Sequence, residues 1–348
     1  MDIFELLNTM VEKGASDLHL INGIPHSFRI NGDLVYLSKK ALSTNDLKAL
    51  FGQIAESELR IKRFYEEKEL DFAYELKGKA RFRVNVYLQR GTIALSIRYL
   101  PLVVPELAEL NLPPILKEIT RKPNGLVLVT GPTGSGKSTT LASMIELINR
   151  ERPLHIITIE DPIEYVYASK KAVISQREVG EDTKTFADAL KHVLRQDPDV
   201  ILIGEMRDIE TMQAAITAAE TGHLVFSTLH TTSTSQTIER IIDVFPPHQQ
   251  NQVRSQLSLT LQAVITQRLV KRIDIKGRIP VTEVLIANHA IRNLIREAKT
   301  YQIYSVIETG IELGMHTMEQ NLNELLGKKT ISWEDAYSIA GMAEYLKR

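Results

Sequence analysis

The sequence GPTGSGKST at 131–139 constrains the fold of this chain more than any other segment. It matches the pattern G-x-x-x-x-G-K-[ST] at every fixed position. A short apolar run rich in β-branched residues precedes it at 125–130, and Leu141, Ile145 and Ile148 follow it at helical spacing. A buried strand, a glycine-rich loop and a helix in this order form a cradle for phosphate groups. The segment therefore predicts an α/β fold that binds a nucleoside triphosphate.

Each part of this phosphate loop has an expected role. Glycines let backbone N–H groups turn toward an anion, and the helix predicted at 139–150 points its N-terminus at that anion. We expect Lys137 to reach the β- and γ-phosphates and Ser138 to hold Mg²⁺. The residues expected to contact the nucleotide are Gly131, Pro132, Thr133, Gly134, Ser135, Gly136, Lys137, Ser138 and Thr139. The alternative, a glycine-rich turn that binds nothing, is disfavoured by the strand and helix on either side.

Composition narrows the class of protein. A length of 348 residues favours two domains, and a net charge of −1 gives no overall field that would attract nucleic acid. The absence of cysteine excludes disulfides and thiolate zinc sites and fits a cytosolic protein. No apolar run is long enough to span a membrane, and the first residues lack the basic region of a signal peptide.

Prolines at 101, 105, 113 and 114 divide the chain in two. Before them, helices at 3–13, 43–51 and 56–67 and six short strands, two of them joined by a turn at Asn31-Gly32, predict a small α+β domain. After them, strands alternate with helices, which predicts a doubly wound, RecA-like core. Its strands are predicted at 126–130, 155–159, 200–203, 224–228 and 279–285. The predicted domains are 1–100, a linker at 101–114, the core at 115–286 and a helical region at 287–348.

Carboxylates follow the predicted strand at 155–159. Glu160, Asp161 and Glu164 come directly after it, where open α/β sheets bind their ligands. Mg²⁺ prefers oxygen ligands and keeps several waters, so these acids are candidates to hold the metal or to polarise its waters. A solvated acidic turn is the equally favoured alternative.

Two further strand ends carry candidate catalytic groups. Glu205 follows the apolar strand at 200–203 and is the candidate base that orients the attacking water; an acid paired only with Arg207 is the alternative. Gly204 stands where many phosphate-loop enzymes have an Asp that binds the metal. The strand at 224–228 leads to His230, which either senses the γ-phosphate or is structural.

Two basic features lie outside these strand ends. Arg83 and Arg98 fall on predicted strands of the first domain, with Arg81 and Arg90 nearby. Surface arginines are usually solvated, yet an arginine delivered from a neighbouring subunit can stabilise a transferring phosphoryl group. The segment AIRNLIRE at 290–297 predicts an ordinary amphipathic helix, with Arg292 and Arg296 together on one face.

Taken together, these segments resemble the secretion-superfamily ATPases of type IV pili and type II secretion. The resemblance covers essentially the whole chain and rests on GPTGSGKST, TIEDPIE (158–164), ILIGEMRD (201–208) and GHLVFSTLHT (222–231). AIRNLIRE marks the branch that retracts pili. The residues of that motif are Ala290, Ile291, Arg292, Asn293, Leu294, Ile295, Arg296 and Glu297. Assembly and secretion relatives carry an additional N-terminal domain and usually a tetracysteine zinc module, so the resemblance and the missing cysteines lead us to expect the retraction branch.

The resemblance implies a hexameric, Mg²⁺-dependent ATPase that powers pilus retraction and twitching motility. It implies a PAS-like first domain, and Arg83 and Arg98 that approach the nucleotide. Gly204 is no departure in this family. It also implies a cytoplasmic protein, peripheral at the inner membrane through a platform protein of the pilus machine, with no nucleic-acid partner. Three alternatives remain open: a RecA-like nucleic-acid translocase, a pilus assembly or secretion ATPase, and a nucleotide-gated scaffold that does not hydrolyse ATP.

Overall fold

The computed structural model describes residues 1–30, 32–76, 78–342 and 345–346. The chain divides into two compact units: Met1–Val103 with Pro162–Val166, and Val104–Asp161 with Tyr167–Arg348. Of the predicted linker at 101–114, only the first three residues count with the first unit. The predicted turn at Asn31-Gly32 lies partly outside the described residues, because Asn31 is not among them. No helix in the described ranges is long and apolar enough to cross a membrane.

The first unit is an α+β fold around one antiparallel sheet. Its helices are α1 (Ile3–Glu12), α2 (Thr44–Ala55) and α3 (Glu58–Glu67). Its strands are β1 (Ala15–Leu20), β2 (Ser27–Ile30), β3 (Asp33–Tyr36), β4 (Glu69–Leu76), β5 (Ala80–Gln89) and β6 (Thr92–Leu100), in the order β3-β2-β1-β6-β5-β4. Each predicted helix and strand is confirmed, although α2 continues four residues beyond its predicted end. Ser43 and Asp46 form a capping box that starts α2, and the helix buries Leu50 and Ile54 against the sheet.

The second unit is an α/β fold with a mostly parallel sheet. Its strands are β7 (Gly125–Thr130), β8 (His155–Glu160), β9 (Val173–Glu178), β10 (Val200–Ile203), β11 (Leu224–Leu229), β12 (Leu261–Lys271) and β13 (Arg278–Ile286). The strand order is β13-β12-β7-β11-β10-β8-β9, and only β12 and β13 pair antiparallel. Its first helices are α4 (Ile115–Ile119), α5 (Lys137–Glu151), α6 (Phe186–Val193), α7 (Ile209–Glu220), α8 (Thr234–Asp243) and α9 (Pro247–Thr260). The alternation predicted for this part of the chain is confirmed.

Two strands of this sheet, β9 and β12, were not predicted from the sequence. The edge strand β9 is largely polar and mostly half-buried or exposed, so it lacks the apolar run of a buried strand. The strand β12 is apolar, but it starts at Leu261 directly after α9 ends at Thr260, without a glycine or proline between them. The predicted core therefore lacked β12, one of the two strands that pair with β7.

Short segments complete the second unit. Pro105 accepts a hydrogen bond from the Ser143 hydroxyl of α5, at 2.8 Å, so this part of the predicted linker packs against the helix that follows the phosphate loop. The region after β13 is helical as predicted. It contains α10 (His289–Arg296), α11 (Ile303–Thr309), α12 (Met318–Gly327) and α13 (Trp333–Ala340), with short 3₁₀ turns between them.

Candidate functional site: the phosphate loop and its neighbouring strand ends

The phosphate loop connects β7 to α5 and lies against β12. Gly131, Gly134 and Gly136 all have positive φ angles, of 137°, 78° and 88°. A Cβ atom on Gly131 would lie 2.2 Å from the carbonyl oxygen of Gln267, closer than two such atoms ever approach. The loop therefore needs glycine there for its backbone conformation and for its close contact with β12. The strand, glycine loop and helix that the sequence predicted are confirmed, and the binding of phosphate by the loop stays a prediction.

Lys137 is the first residue of α5, and its side chain turns back over the loop. Its Nζ donates to the carbonyl oxygens of Gly131 at 2.8 Å and Pro132 at 3.1 Å. The Lys137 Nζ also lies 3.4 Å from Nδ1 of His230. A cation is thus held at the mouth of a loop whose backbone suits an anion, which fits the expected contact with phosphate groups.

The candidate base Glu205 lies between two basic side chains. Its Oε1 is 3.1 Å from Nε2 of His230, and its Oε2 is 2.8 Å from Nη2 of Arg207. The hydrogen bond that Arg207 donates to Glu205 raises the pKa of Arg207. Glu205 therefore does form the ion pair with Arg207 that the sequence offered as the alternative to a catalytic role. It also contacts His230, so it is not paired with Arg207 alone. Lys137, His230, Glu205 and Arg207 form one row of contacts, called the catalytic row below.

Strand order explains why this row forms. In the sheet, β7 lies beside β11 and β11 beside β10, so the loop after β7, His230 after β11 and Glu205 after β10 meet at one edge. The Thr228 hydroxyl donates to the carbonyl of Gly204 at 2.7 Å and fixes β10 to β11 at that level.

The acidic turn follows β8, the next strand in the sheet. The carboxylate of Glu160 accepts the Thr158 hydroxyl at 2.7 Å and is 9% exposed, whereas Asp161 is exposed and acts electrostatically on Arg207. Glu164 belongs to the segment Pro162–Val166, which counts with the first unit.

The candidate metal ligands were Ser138, Glu160 and Asp161. Within the described ranges, no group of three His, Cys, Asp or Glu side chains could hold a metal ion. Mg²⁺ is usually held by one or two protein oxygens together with substrate phosphates and water. The Ser138 hydroxyl in the first turn of α5 fits that donor set, whereas Glu160 ends β8, which is separated from β7 by β11 and β10. The metal assignment therefore stays a prediction.

Sequence reasoning missed Gln267, which lies on β12 beneath the loop. Its Nε2 donates to the carbonyl of Ser135 at 2.6 Å, and its Oε1 accepts the Thr140 hydroxyl at 2.8 Å. The side chain is buried and joins the loop to the first turn of α5. A buried amide within an apolar strand was the available signal, but β12 itself was not recognised.

Arg83 and Arg98 of the first unit each pair with an aspartate of that unit. Arg83 and Arg98 lie directly opposite each other on β5 and β6. Nε of Arg83 is 3.4 Å from Asp71, and Nε of Arg98 is 2.8 Å from Asp17. Burial raises the pKa of Asp17, but hydrogen bonds from Arg98 and Ser16 outweigh it and leave that pKa below its usual value. A role for either arginine at the nucleotide stays a prediction.

The helix α10 confirms the helical prediction for 290–297 and corrects one detail. Ile291 and Ile295 are buried as expected. Arg292, however, does not share an outer face with Arg296. Its guanidinium donates to three backbone carbonyls, those of Ala287, Ser258 and Leu259, at 2.6–2.9 Å, and partial burial lowers its pKa. The carbonyls at the end of α9 attract this arginine, which periodicity alone could not reveal.

The chain is similar to known proteins over nearly its whole length. The family model described as "Type II/IV secretion system protein" matches residues 2–276. The chain is 49% identical to the "Type IV pilus retractation ATPase PilT" of Pseudomonas aeruginosa, over 99% of both chains. It is 50% identical to the "Twitching motility protein" of Neisseria gonorrhoeae, over 91% of this chain and 84% of that one. A crystal structure of "the Pilus Retraction Motor PilT and Bound ADP" superposes with a TM-score of 0.92, at 48% identity and 99% coverage of each chain.

Proposed function

The chain belongs to the type II/IV secretion system protein family, and from that premise we propose that it is an ATP-hydrolysing motor that powers retraction of a type IV pilus. The observation that carries the proposal is the catalytic row, Lys137–His230–Glu205–Arg207, beside a complete phosphate loop. Relatives at about half identity over nearly the whole chain, named for pilus retraction and twitching motility, support the task.

In the proposed mechanism, the loop first binds the triphosphate. Backbone N–H groups of the loop and the N-terminus of α5 face the phosphates, and Lys137 exchanges its carbonyl contacts for phosphate oxygens. The solved relative with bound ADP supports nucleotide binding by this chain. Mg²⁺, if bound, would neutralise charge on the phosphates; Ser138, Glu160 and Asp161 are the residues that would hold it, and Glu164 is the further acid that would polarise its waters.

Glu205 then acts as the base. Its carboxylate orients the attacking water and takes its proton, while Arg207 and His230 hold that carboxylate in place. His230 bridges Glu205 and Lys137, so a phosphate that draws Lys137 away changes the surroundings of His230 as well. This is how His230 reports the state of the γ-phosphate.

The proposal also covers the fold type of each unit, the oligomeric state, the partner protein and the hinge. The second unit is RecA-like and the first is PAS-like; the antiparallel sheet of the first unit with its helices supports the latter. The active form is a homohexamer in the cytoplasm, in which Arg83 and Arg98 complete the site of a neighbouring subunit. The segment 290–297 passes the motion to a platform protein at the inner membrane. The segment at 101–114 is the hinge between the two domains.

The rival functions differ in what the protein does with ATP. A nucleic-acid translocase is disfavoured by the net charge of −1, and a scaffold that does not hydrolyse ATP is disfavoured by Glu205 in contact with His230. An assembly or secretion ATPase shares the same site, and only its effect on pili separates it from a retraction motor.

A phosphate-release assay tests the enzymatic part of the proposal. The purified full chain should hydrolyse ATP with Mg²⁺, Lys137→Ala should lose turnover, and Arg296→Ala, a change in an exposed side chain of α10, should keep most of it. Absence of turnover in the unaltered chain would support the scaffold. Strong stimulation by DNA would support the translocase.

A further inference from the structure

A buried carboxylate lies outside the catalytic row, on β13. Glu283 is 6% exposed and accepts the backbone N–H of Thr234 at 2.7 Å. The backbone N–H of Met318 also acts on this carboxylate and lowers its pKa. A buried carboxylate is expensive unless it is paired, so these two contacts define its surroundings.

Both donors occupy the same kind of position. Thr234 is the first residue of α8, after its N-cap Ser233, and Met318 is the first residue of α12, after its N-cap Thr317. Backbone N–H groups in the first turn of a helix have no partner within that helix and carry partial positive charge. One carboxylate therefore holds the beginnings of two helices. Burial raises the pKa of Glu283, and the backbone hydrogen bond from Thr234 opposes that rise without overcoming it.

The beginning of α8 is close in sequence to the catalytic row. Only three residues, 231–233, separate His230 from Thr234. The hydroxyls of Thr231 and Thr237 lie 2.6 Å apart and fasten this short connection to the first turn of α8. Because the connection is three residues long and is fixed to α8 by this hydrogen bond, a shift of the first turn of α8 would also move His230.

Glu283 also stands on the strands that support the phosphate loop. It pairs with Thr266 of β12, which pairs in turn with Thr130, the last residue of β7 before the loop. The hydroxyls of Thr266 and Thr130 are 2.8 Å apart. Glu283, which contacts the first turn of α8, and Thr130, which precedes the phosphate loop, therefore lie in one row across the sheet.

We propose that Glu283 is a positioning residue that holds His230 against Glu205 by fixing the first turn of α8 to β13. This inference rests on the proposed function, because it assigns Glu283 a part in the same hydrolytic site. The contact to Met318 joins the N-terminus of α12 to the same anchor, which links the C-terminal helices to the position of His230.

A double-mutant cycle tests the proposal. ATP turnover is measured for the unaltered chain, Glu283→Gln, His230→Ala and the double variant. Glu283→Gln keeps the size of the side chain and removes its charge. We expect it to lower kcat by about tenfold or more, with KM within about twofold, because a misplaced catalytic group affects the chemical step. In the His230→Ala background, the same substitution should change kcat by less than about twofold, because neighbours that act through one another are not additive.

The same fold-change in both backgrounds would overturn the proposal, since Glu283 would then act on stability or on another group. An unchanged kcat for Glu283→Gln would overturn it too. Glu319→Gln is the matched control: Glu319 lies in the first turn of α12 and accepts a hydrogen bond from the Tyr304 hydroxyl at 3.2 Å. It should leave kcat unchanged. If thermal unfolding shows that Glu283→Gln is not folded, Glu283→Asp, which keeps the charge, replaces it in the cycle.

A spectroscopic readout separates failure of this inference from failure of the proposed function. In chains with labelled histidine, the ring resonances of His230 are assigned by His230→Ala and compared with those of His155, which lies at the opposite end of the parallel strands, on β8. We expect Glu283→Gln to move the His230 resonances and to leave those of His155 in place, whether or not the chain hydrolyses ATP. Unmoved His230 resonances would contradict the positioning role even in an active enzyme.

Discussion

The close approach of the phosphate loop to β12 makes a graded prediction for its glycines. In Gly131→Ala, the new Cβ would lie 2.2 Å from the carbonyl oxygen of Gln267 and 2.8 Å from Oγ of Ser135, at a φ of 137°. In Gly134→Ala, the φ is 78° but no atom lies within 4 Å of the new Cβ. The two substitutions share the unfavourable backbone angle and differ in the steric clash.

The magnitudes follow from these two terms. An alanine at a strained positive φ costs about 1–2 kcal/mol, and the more restricted unfolded chain returns about 0.5 kcal/mol. Gly134→Ala should therefore lower the free energy of unfolding by about 1 kcal/mol. Gly131→Ala adds the displacement of a backbone carbonyl, which as overpacking costs about 1–3 kcal/mol more. Gly136→Ala should fall between them, because its Cβ would be 2.8 Å from Nε2 of Gln267, the end of a side chain.

Urea unfolding measures this series. Trp333, the single tryptophan of the chain, lies in the same unit as the loop, so its fluorescence follows that unit. The expected order of destabilisation is Gly131→Ala, then Gly136→Ala, then Gly134→Ala. Equal losses for Gly131→Ala and Gly134→Ala would refute the reasoning, because the contact with β12 would then contribute nothing to the need for glycine.

Three further predictions concern other parts of the molecule. Glu205→Gln should lower kcat by about 10²-fold or more while ATP still binds, because the amide cannot take the proton of the attacking water. Phosphate release and a nucleotide-binding assay measure the two effects. Turnover at the unaltered rate would show that Glu205 is not the base. Arg292→Ala should lower the free energy of unfolding by about 1–3 kcal/mol, because three backbone carbonyls lose their donor. Arg296→Ala, at an exposed position, should change that free energy by less than about 0.5 kcal/mol and should impair retraction instead. Equal effects of the two substitutions in urea unfolding would contradict these separate roles. Because the pKa of Asp17 is lowered in the folded chain, its carboxylate stabilises the fold at pH values above its unfolded pKa, near 3.8, and this contribution should disappear as the pH falls through the lower folded pKa. Asp17→Asn should flatten that part of the curve of unfolding free energy against pH. An unchanged curve would count against the pairing with Arg98.

The parts of the site that sequence predicted are those with a local signal. The phosphate loop has its own pattern, and Glu205 and His230 each follow an apolar run that can only be a buried strand. The rule that parallel strands present their carboxyl ends at one edge then placed these residues together. The order of the strands, however, comes from packing, so the contacts within the catalytic row could not be predicted.

Residues whose role depends on tertiary contacts were missed or misplaced. Gln267 is one polar residue in an apolar strand, and its importance appears only when β12 lies beneath the loop. Arg292 has the spacing of a surface residue, but the free carbonyls at the end of α9 draw it inward. Glu283 has no pattern around it, because its two donors come from helices that are distant in sequence.

Imaging of pili in the source organism tests the central claim most directly. The gene is deleted and then restored either unaltered or with Glu205→Gln, and surface pili and their retraction are observed. The account predicts abundant pili that extend but do not retract in the deletion and in the Glu205→Gln strain, with retraction recovered by the unaltered gene. Loss of pili in the deletion strain, as expected of an assembly ATPase, would contradict it.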